Sequence, residues 1–498
     1  MSPPLPIYPT AGIREIERGI VLSPDQPPLM ERAGLAAAEL ARALAADGRP
    51  ILILAGPGNN GGDALVAARW LKQWFYRVEV AFCADEARLP PDAAAALAAW
   101  RAAGGTCRPD LPDDRDWGLV IDGLFGIGLT RPLEAPYSDW VQRVNALGAP
   151  ILALDVPSGL DADSGCVRGP TIRARHTVTF LALKPGLLTG DGPDHCGELH
   201  LRTLDVQAPM YHPASGWLLD AALVRGLLPP RPLNSHKGLF GSVGILGGAS
   251  GMTGAALLAG RAALHAGAGR VYLGLLTDSA PGVDPLQPEL MLRPAAHLLD
   301  APHLSVLVAG PGLGRSPAAG AYLEQVLASD RPVVLDADAL NLIAASAPLQ
   351  ELTAQRRAPT LMTPHPAEAA RLIGAGLADV LCQRVDVASL IAARFNAFVA
   401  LKGVGTVCAM PNATWFINTS GNPGLASAGT GDVLAGLTGA LLGQGLAPRD
   451  ALLLAVHLHG AAADRLQERG IGPVGMTATE LIGAARELLN EWVYGVSR

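Results

Sequence analysis

Excess positive charge, cysteine and uninterrupted apolar runs are all scarce in this chain, and each shortage closes off a class of function. Lysine and arginine number 38 against 45 aspartate and glutamate, so no chain-wide basic surface exists to displace the counterions of a phosphodiester backbone. A nucleic-acid partner is not expected. The six cysteines, Cys83, Cys107, Cys166, Cys196, Cys382 and Cys408, are scattered without a C-x-x-C or a zinc-like pairing with histidine, which points to a reduced, cytoplasmic setting. The N-terminal MSPPLPIYPT lacks the basic and long apolar regions of a signal peptide. An uncharged stretch at 238–260 is broken by Gly-Gly and Gly-Met-Thr-Gly, so it reads as a strand followed by a helix and not as a membrane span.

What is present is a large globular chain. Its 498 residues exceed the roughly 250–300 at which single cores stop growing, so at least two domains are expected. Hydrophobic residues at 49% and charged residues at 17% exclude global disorder. Short apolar runs alternate with amphipathic helical patterns, the signature of an α/β fold in which mostly parallel sheets carry helices on both faces. In the first half strands are expected at 50–55, 78–83, 119–124, 151–156 and 177–183, with helices at 63–75 and 91–104 between them. Periodicity fails around 207–215 and a proline-rich bend follows at 227–234, which sets domains at 1–212 and 221–498. The second half restarts with strands at 242–246, 271–276, 306–309, 333–336, 360–363 and 398–401. It ends in three helical patterns beginning near Asp432, Arg449 and Thr477.

The glycine-rich AGPGNNGGDAL at 55–65 lies between a strand and a helix. Gly56, Gly58 and Gly61 satisfy a dinucleotide-binding spacing, but Asp63 would place a carboxylate beside a pyrophosphate and Glu79 falls inside a strand, so a dehydrogenase is disfavoured. Asn59, Asn60 and Asp63 either line a ligand cleft or cap the helix. Two further strand ends add Asp122 with Arg131, and Asp155 with Ser158. Ligands in open α/β sheets sit beyond the carboxyl ends of strands, so these groups converge on one cleft. Asn60, Asp122 and Ser158 are hard oxygen donors for an alkali or alkaline-earth cation, and Asp155 is a candidate general acid or base. Lys184 is a weaker candidate, since a strand-end lysine is more often merely solvated.

In the second half GNPGLASAGTGDVLAG at 421–436 leads into a helix near Asp432. The N–H groups of Gly429, Thr430 and Gly431 suit an anion nest with Asp432 at its rim. That arrangement suits attack by a hydroxyl on a nucleotide phosphate, with the carboxylate taking the proton. The competing reading is an ordinary N-cap aspartate. KGVGT at 402–406, GPGLG at 310–314, LDADALN at 335–341 and TPHPAEAAR at 363–371 are further strand-end loops. No G-x-x-x-x-G-K-[ST] is present, which disfavours a P-loop NTPase. His457 and His459 do not share a helix face and read as packing residues.

Together these motifs carry a resemblance. GNNGGDA, DGLFGIGLTRP and LDVPSGLDAD resemble the NAD(P)H-hydrate epimerase domain, and GGASGMTGAA, GPGLG, LDADALN, TPHPAEAARL, KGVGT and GNPGLASAGTGDVLAG resemble the ADP-dependent NAD(P)H-hydrate dehydratase domain. The resemblance spans roughly residues 8–489 and implies a Rossmann-like first domain, a ribokinase-like second one, and repair of hydrated NADH and NADPH. It implies that Asn59, Asn60, Gly61, Gly62, Asp63, Gly126, Ile127, Gly128, Leu129, Thr130, Arg131, Pro132 and Asp155 contact the hydrate in the first site. Asp155 would move the proton, and Asn60, Asp122 and Ser158 would hold K+. In the second site Ala255, Gly312, Gly314, His365, Glu368, Arg371 and Asp432 would contact the hydrate, with Asp432 as base. Lys402, Gly403, Val404, Gly405, Thr406, Asn422, Gly424, Ala428, Gly429, Thr430 and Gly431 would hold ADP, with Mg2+ screening the phosphates. A homo-oligomer without a membrane partner is expected. One departure is Ala64, where the family usually has glycine; it is harmless if position 64 is helical and damaging if it needs a positive φ. A small-molecule kinase of ribokinase-like fold is the alternative that would use the same loop.

Overall fold

The computed structural model describes residues 4–20, 26–45, 47–112, 115–129, 131–277, 282–301 and 303–495. The chain divides into two compact units, Leu5–Gly216 and Trp217–Arg498 with a few N-terminal residues. The first holds a wholly parallel sheet in the order Cys107–Arg108, Val78–Ala81, Ile51–Ala55, Leu119–Gly123, Ile151–Leu154, His176–Phe180, Glu198–Arg202. Its inner strand ILILA is apolar throughout because both faces are covered. Ile51 and Ile53 pack with the helices Leu29–Leu44, Asn59–Gln73 and Pro91–Ala102, while Leu52 and Leu54 join the opposite core with Trp140 and Val141.

The second unit's sheet runs Gly216–Leu219, Trp415–Asn418, Val407–Ala409, Phe398–Leu401, Thr360–Met362, Val333–Leu335, Val306–Ala309, Ser242–Gly247, Arg270–Leu275, Met291–Pro294. Pairing is parallel from Phe398–Leu401 to Met291–Pro294 and antiparallel through the two neighbouring strands Val407–Ala409 and Trp415–Asn418. The large core joins Val243, Ile245, Val306 and Val308 to the helices Thr253–His265, Thr430–Gly443, Pro448–Glu468 and Ala478–Tyr494. Two of these helices touch backbone to backbone: a Cβ on Gly436 would lie 2.1 Å from the carbonyl oxygen of Ala259. That contact fixes where the N-terminus of Thr430–Gly443 points.

Both units are therefore mostly parallel α/β, as the periodicity implies. Seven of the eleven expected strands end one to three residues too late, because residues such as Asp155 and Asp336 already begin the loops. Unforeseen strands are short or lie near sheet edges, where the apolar signal is weak: Cys107–Arg108, Glu198–Arg202, Met291–Pro294, and the antiparallel pair. Cys83, Cys107, Cys196 and Cys408 carry free thiols. Among the described residues no helix is long and apolar enough to cross a membrane.

Two glycine substitutions should move stability in opposite directions. A Cβ on Gly56 would meet the carbonyl oxygen of Leu124 at 1.7 Å, so Gly56→Ala should destabilise the first unit by about 3 kcal/mol or more. Gly483 lies inside the helix Ala478–Tyr494 with nothing within 4 Å of its added Cβ, so Gly483→Ala should stabilise by about 0.5–1 kcal/mol. Denaturant unfolding of both variants checks the pair.

Two candidate active sites

In the first unit the glycine turn exists because backbone meets backbone. A Cβ on Gly61 would lie 2.0 Å from the carbonyl oxygen of Gly56, so only bare backbone lets the helix Asn59–Gln73 start there. Gly58 is its N-cap and no side chain caps it, so Asn59, Asn60 and Asp63 are not spent on capping. Asn60 is buried, yet among the described residues neither its Oδ1 nor its Nδ2 has a hydrogen-bond partner. Buried amides are almost always satisfied, so this one points to a missing ligand. Beside it Asp122 is fully buried and accepts bonds from Ser158 N at 2.8 Å, Ser158 Oγ at 2.7 Å and Leu124 N at 3.2 Å. Burial still outweighs those bonds and pushes the carboxyl up to about 6.

Asp155 follows the strand Ile151–Leu154 with φ +62°, and Val156 N bonds back to Leu154 O at 2.8 Å, a strained tight turn. A Cβ on Gly126 would lie 3.1 Å from Asp155 Oδ2 and 3.4 Å from Asn60 Oδ1, so these groups meet at one point. Lys184 is not a solvated lysine. It is 1% exposed, its ammonium pairs with Asp155, and it donates to Thr179 Oγ1 and Phe180 O, both at 2.8 Å. With one lysine serving the cluster, burial and then the Asp155 charge hold the carboxyls of Asp63 and Glu17 above their ordinary range.

The remaining expected contacts spread outward. Gly61 and Gly62 are buried, Gly126 and Ile127 half-buried, and Asn59, Gly128, Arg131 and Pro132 exposed. Leu129 buries its side chain in the core beside Leu124 and Trp140, so only its backbone faces the loop. Thr130 lies outside the described residues. Ala64 is helical and fully buried, with its methyl against Gly123, so its backbone needs no positive φ. Glu79 is held by Arg108 and Arg115, which removes the dehydrogenase reading's ribose-binding acid.

The second unit repeats the device. Asp336, at the end of Val333–Leu335, is buried and accepts from Lys402 Nζ at 2.7 Å and Thr363 Oγ1 at 2.8 Å. Lys402 follows the strand Phe398–Leu401, and burial of its ammonium is outweighed by Asp336 and Glu368, which keep its charge. Its Nζ lies 3.3 Å from where a Cβ on Gly431 would sit. The helix Thr430–Gly443 starts two residues earlier than expected, with Gly429 as N-cap at φ +89°, a conformation only glycine adopts cheaply. Asp432 is thus in the first turn and is not the cap. Among the described residues no hydrogen bond to its carboxylate is formed. Burial, then Asp336 and Asp338, raise it to about 7 against the opposing Lys402.

Around this centre the expected residues take definite places. Gly312 and Gly314 have φ +58° and +73°; a Cβ on Gly312 would lie 3.1 Å from the Ala255 methyl, and Gly314 N donates to Asp338 at 2.9 Å. His365 caps the helix Pro366–Ile373, accepting from Ala367 N, while the Glu368 carboxylate accepts from His365 N at 2.8 Å. Arg371 binds Asn341 at 2.6 Å. Gly403 and Gly405 have positive φ, and Thr406 Oγ1 donates to Gly403 O. Asn422 spends its amide on Asp464 and Gly424 N, Gly424 is buried and Ala428 is exposed. Asp464 escaped the sequence reading because it lies mid-helix, far from any glycine motif. His457 and His459 are buried packing groups, bonded to Asn418 Oδ1 and Thr430 O.

Two parallel units, each with a lysine-paired aspartate at its strand ends, define a two-centre α/β enzyme whose second centre suits a phosphate. A family model for NAD(P)H-hydrate dehydratase matches residues 243–486, and one for the YjeF-related protein N-terminus matches residues 26–186. The chain is 40% identical over 484 residues to the bifunctional NAD(P)H-hydrate repair enzyme Nnr of Escherichia coli strain K12, covering 93% of this chain and 89% of that one. It is 37% identical over 493 residues to the enzyme of the same description from Coxiella burnetii, covering 97% and 99%. An ADP/ATP-dependent NAD(P)H-hydrate dehydratase from Bacillus subtilis, co-crystallised with ATP and Mg2+, is 31% identical with TM-score 0.50 and covers 55% of this chain and 98% of that one. The chain belongs to the bifunctional NAD(P)H-hydrate repair enzymes. Membership favours this function over the small-molecule kinase.

Breaking the first site's ion pair should be costly. Lys184→Met leaves the half-buried Asp155 without its cation, which should destabilise the first unit by about 3 kcal/mol and abolish epimerisation, with dehydration untouched. Denaturant unfolding and separate assays of the two activities check this.

Proposed function

We propose that the first unit interconverts the R and S hydrates of NADH and NADPH, and that the second consumes ADP to dehydrate the S form, giving AMP, phosphate and the restored cofactor. The observation that carries the second half is Asp432: a carboxylate without a hydrogen-bond partner among the described residues, in the first turn of a glycine-capped helix, with its pKa raised to about 7. Asp432 takes the proton of the ring hydroxyl as that oxygen attacks the terminal phosphorus and the bond to AMP breaks. The phosphorylated oxygen then leaves as phosphate, and loss of a neighbouring ring proton restores the double bond. The N–H groups of Gly429, Thr430 and Gly431, at the start of the glycine-capped helix, would meet the charge that develops on the phosphoryl group, and Lys402 adds a cation beside Gly431. Lys402–Thr406, Asn422, Gly424 and Ala428 complete the ADP site, and Ala255, Gly312, Gly314, His365, Glu368 and Arg371 the hydrate site. The Bacillus relative's co-crystallisation with ATP and Mg2+ supports a nucleotide there, and Mg2+ needs few protein ligands when phosphates carry it.

In the first half Asp155, paired with Lys184, accepts and returns the proton, with Asn59 to Asp63 and Gly126 to Pro132 around the hydrate. Asn60, Asp122 and Ser158 fit K+: among the described residues the amide oxygen of Asn60 is buried without a partner and Asp122 has no buried countercharge. A cation there would supply a fixed positive charge beside Asp155.

Asp432→Asn should lower dehydration about a thousandfold while ADP binding is retained; full activity in that variant overturns the mechanism. Because the base must be ionised, kcat/KM of the wild type should fall about tenfold per pH unit below about 7. Mixed R and S hydrates with ADP should both disappear, whereas loss of S alone would show an inactive first site. Replacing K+ by Li+ should slow epimerisation, and Asn60→Ala should remove that dependence.

A further inference from the structure

The sheet edge of the first unit carries a cluster that neither centre uses. His176–Phe180 and Glu198–Arg202 pair in parallel with His176 opposite Glu198 and Val178 opposite His200. Residues two apart on a strand share a face, so His176, Glu198 and His200 project together. His176 Nδ1 lies 3.2 Å from His200 Nε2 and 3.4 Å from Glu198 Oε2, and His200 Nε2 lies 3.8 Å from Glu198 Oε1. Bonds of about 2.0–2.1 Å at tetrahedral angles hold two donors about 3.3–3.4 Å apart, so this triangle already has nearly the span of one face of a tetrahedral metal site.

The environment fits that use. Two ring nitrogens aim at each other, and a proton between them satisfies the pair only when one ring takes the opposite tautomer; a cation between them satisfies both. The histidine side chains are 14% and 18% exposed and so held by their surroundings, while Glu198, 67% exposed, is free to close on an ion from the solvent side. Two imidazoles and one carboxylate form a borderline donor set, suited to zinc-class ions and not to Mg2+ or Ca2+.

We propose that His176, Glu198 and His200 form a binding site for a divalent transition metal of the zinc class, with solvent as the remaining ligand. The ion would clip the edge strand to its neighbour. That neighbour, His176–Phe180, also provides Val178 O to Asp155 N at 2.7 Å and Thr179 Oγ1 and Phe180 O to Lys184, so the clip stiffens the strand on which the first site rests.

The test uses untagged full-length protein stripped with chelator and titrated with Co2+ and Zn2+. Wild type should bind one equivalent, showing the visible bands of tetrahedral Co2+, and Zn2+ should raise the melting temperature and protect His176 and His200 from diethylpyrocarbonate. His200→Gln should weaken Zn2+ binding at least tenfold with dehydration activity and circular dichroism unchanged. Absence of binding by wild type, an unaltered affinity in that variant, or no protection of these two histidines overturns the proposal; the protection arm does not depend on any variant folding.

Discussion

Each half of this molecule rests on an aspartate at the end of a parallel strand, paired with a lysine that follows the adjacent strand in the first unit and the next strand but one in the second. Asp155 meets Lys184 in the first unit and Asp336 meets Lys402 in the second. Removing two charges from water is expensive, and the attraction between them offsets that cost only when further bonds satisfy the ammonium. Thr179 and Phe180 do this for Lys184. In the second unit Thr363 satisfies the aspartate, and Glu368 and Asp432 add electrostatic support for Lys402.

The consequence is electrostatic poise in the surrounding carboxyls. Burial, and after it the charge of neighbouring acids that one cation does not cancel, pushes these carboxyls toward their protonated forms: Asp63 and Glu17 in one unit, Glu368 and Asp432 in the other. Asp432 is set near neutrality, where a general base is effective. The same burial that would destabilise an ordinary structural aspartate is what equips this one for proton transfer.

Much of this was legible in the residues, for identifiable reasons. Sandwiched strands such as ILILA announce themselves by continuous apolarity, and glycines at Gly61 and Gly429 announce backbone contacts and positive φ that no other residue serves. Pairings across the sheet were not legible. Lys184 looks like any strand-end lysine until the fold carries Asp155 to it, and Lys402, read as a phosphate ligand, also neutralises Asp336. The short edge strands escaped because a few residues carry too little periodicity, and with them went the register that aligns His176 with Glu198 and His200. The start of the helix at Thr430 was misjudged because its cap is a left-handed glycine and no polar side chain marks it.

The central claim is that burial raises the proton affinity of Asp432 and that the Lys402 ammonium, paired with Asp336, holds it down. It is tested most directly by carbon-detected NMR titration of the Asp432 carboxyl in wild type and in Lys402→Met. The account predicts a midpoint of about 7 in the wild type that moves upward when the cation is removed. A wild-type midpoint near the ordinary aspartate value of about 4, or one that does not move with Lys402, would contradict it.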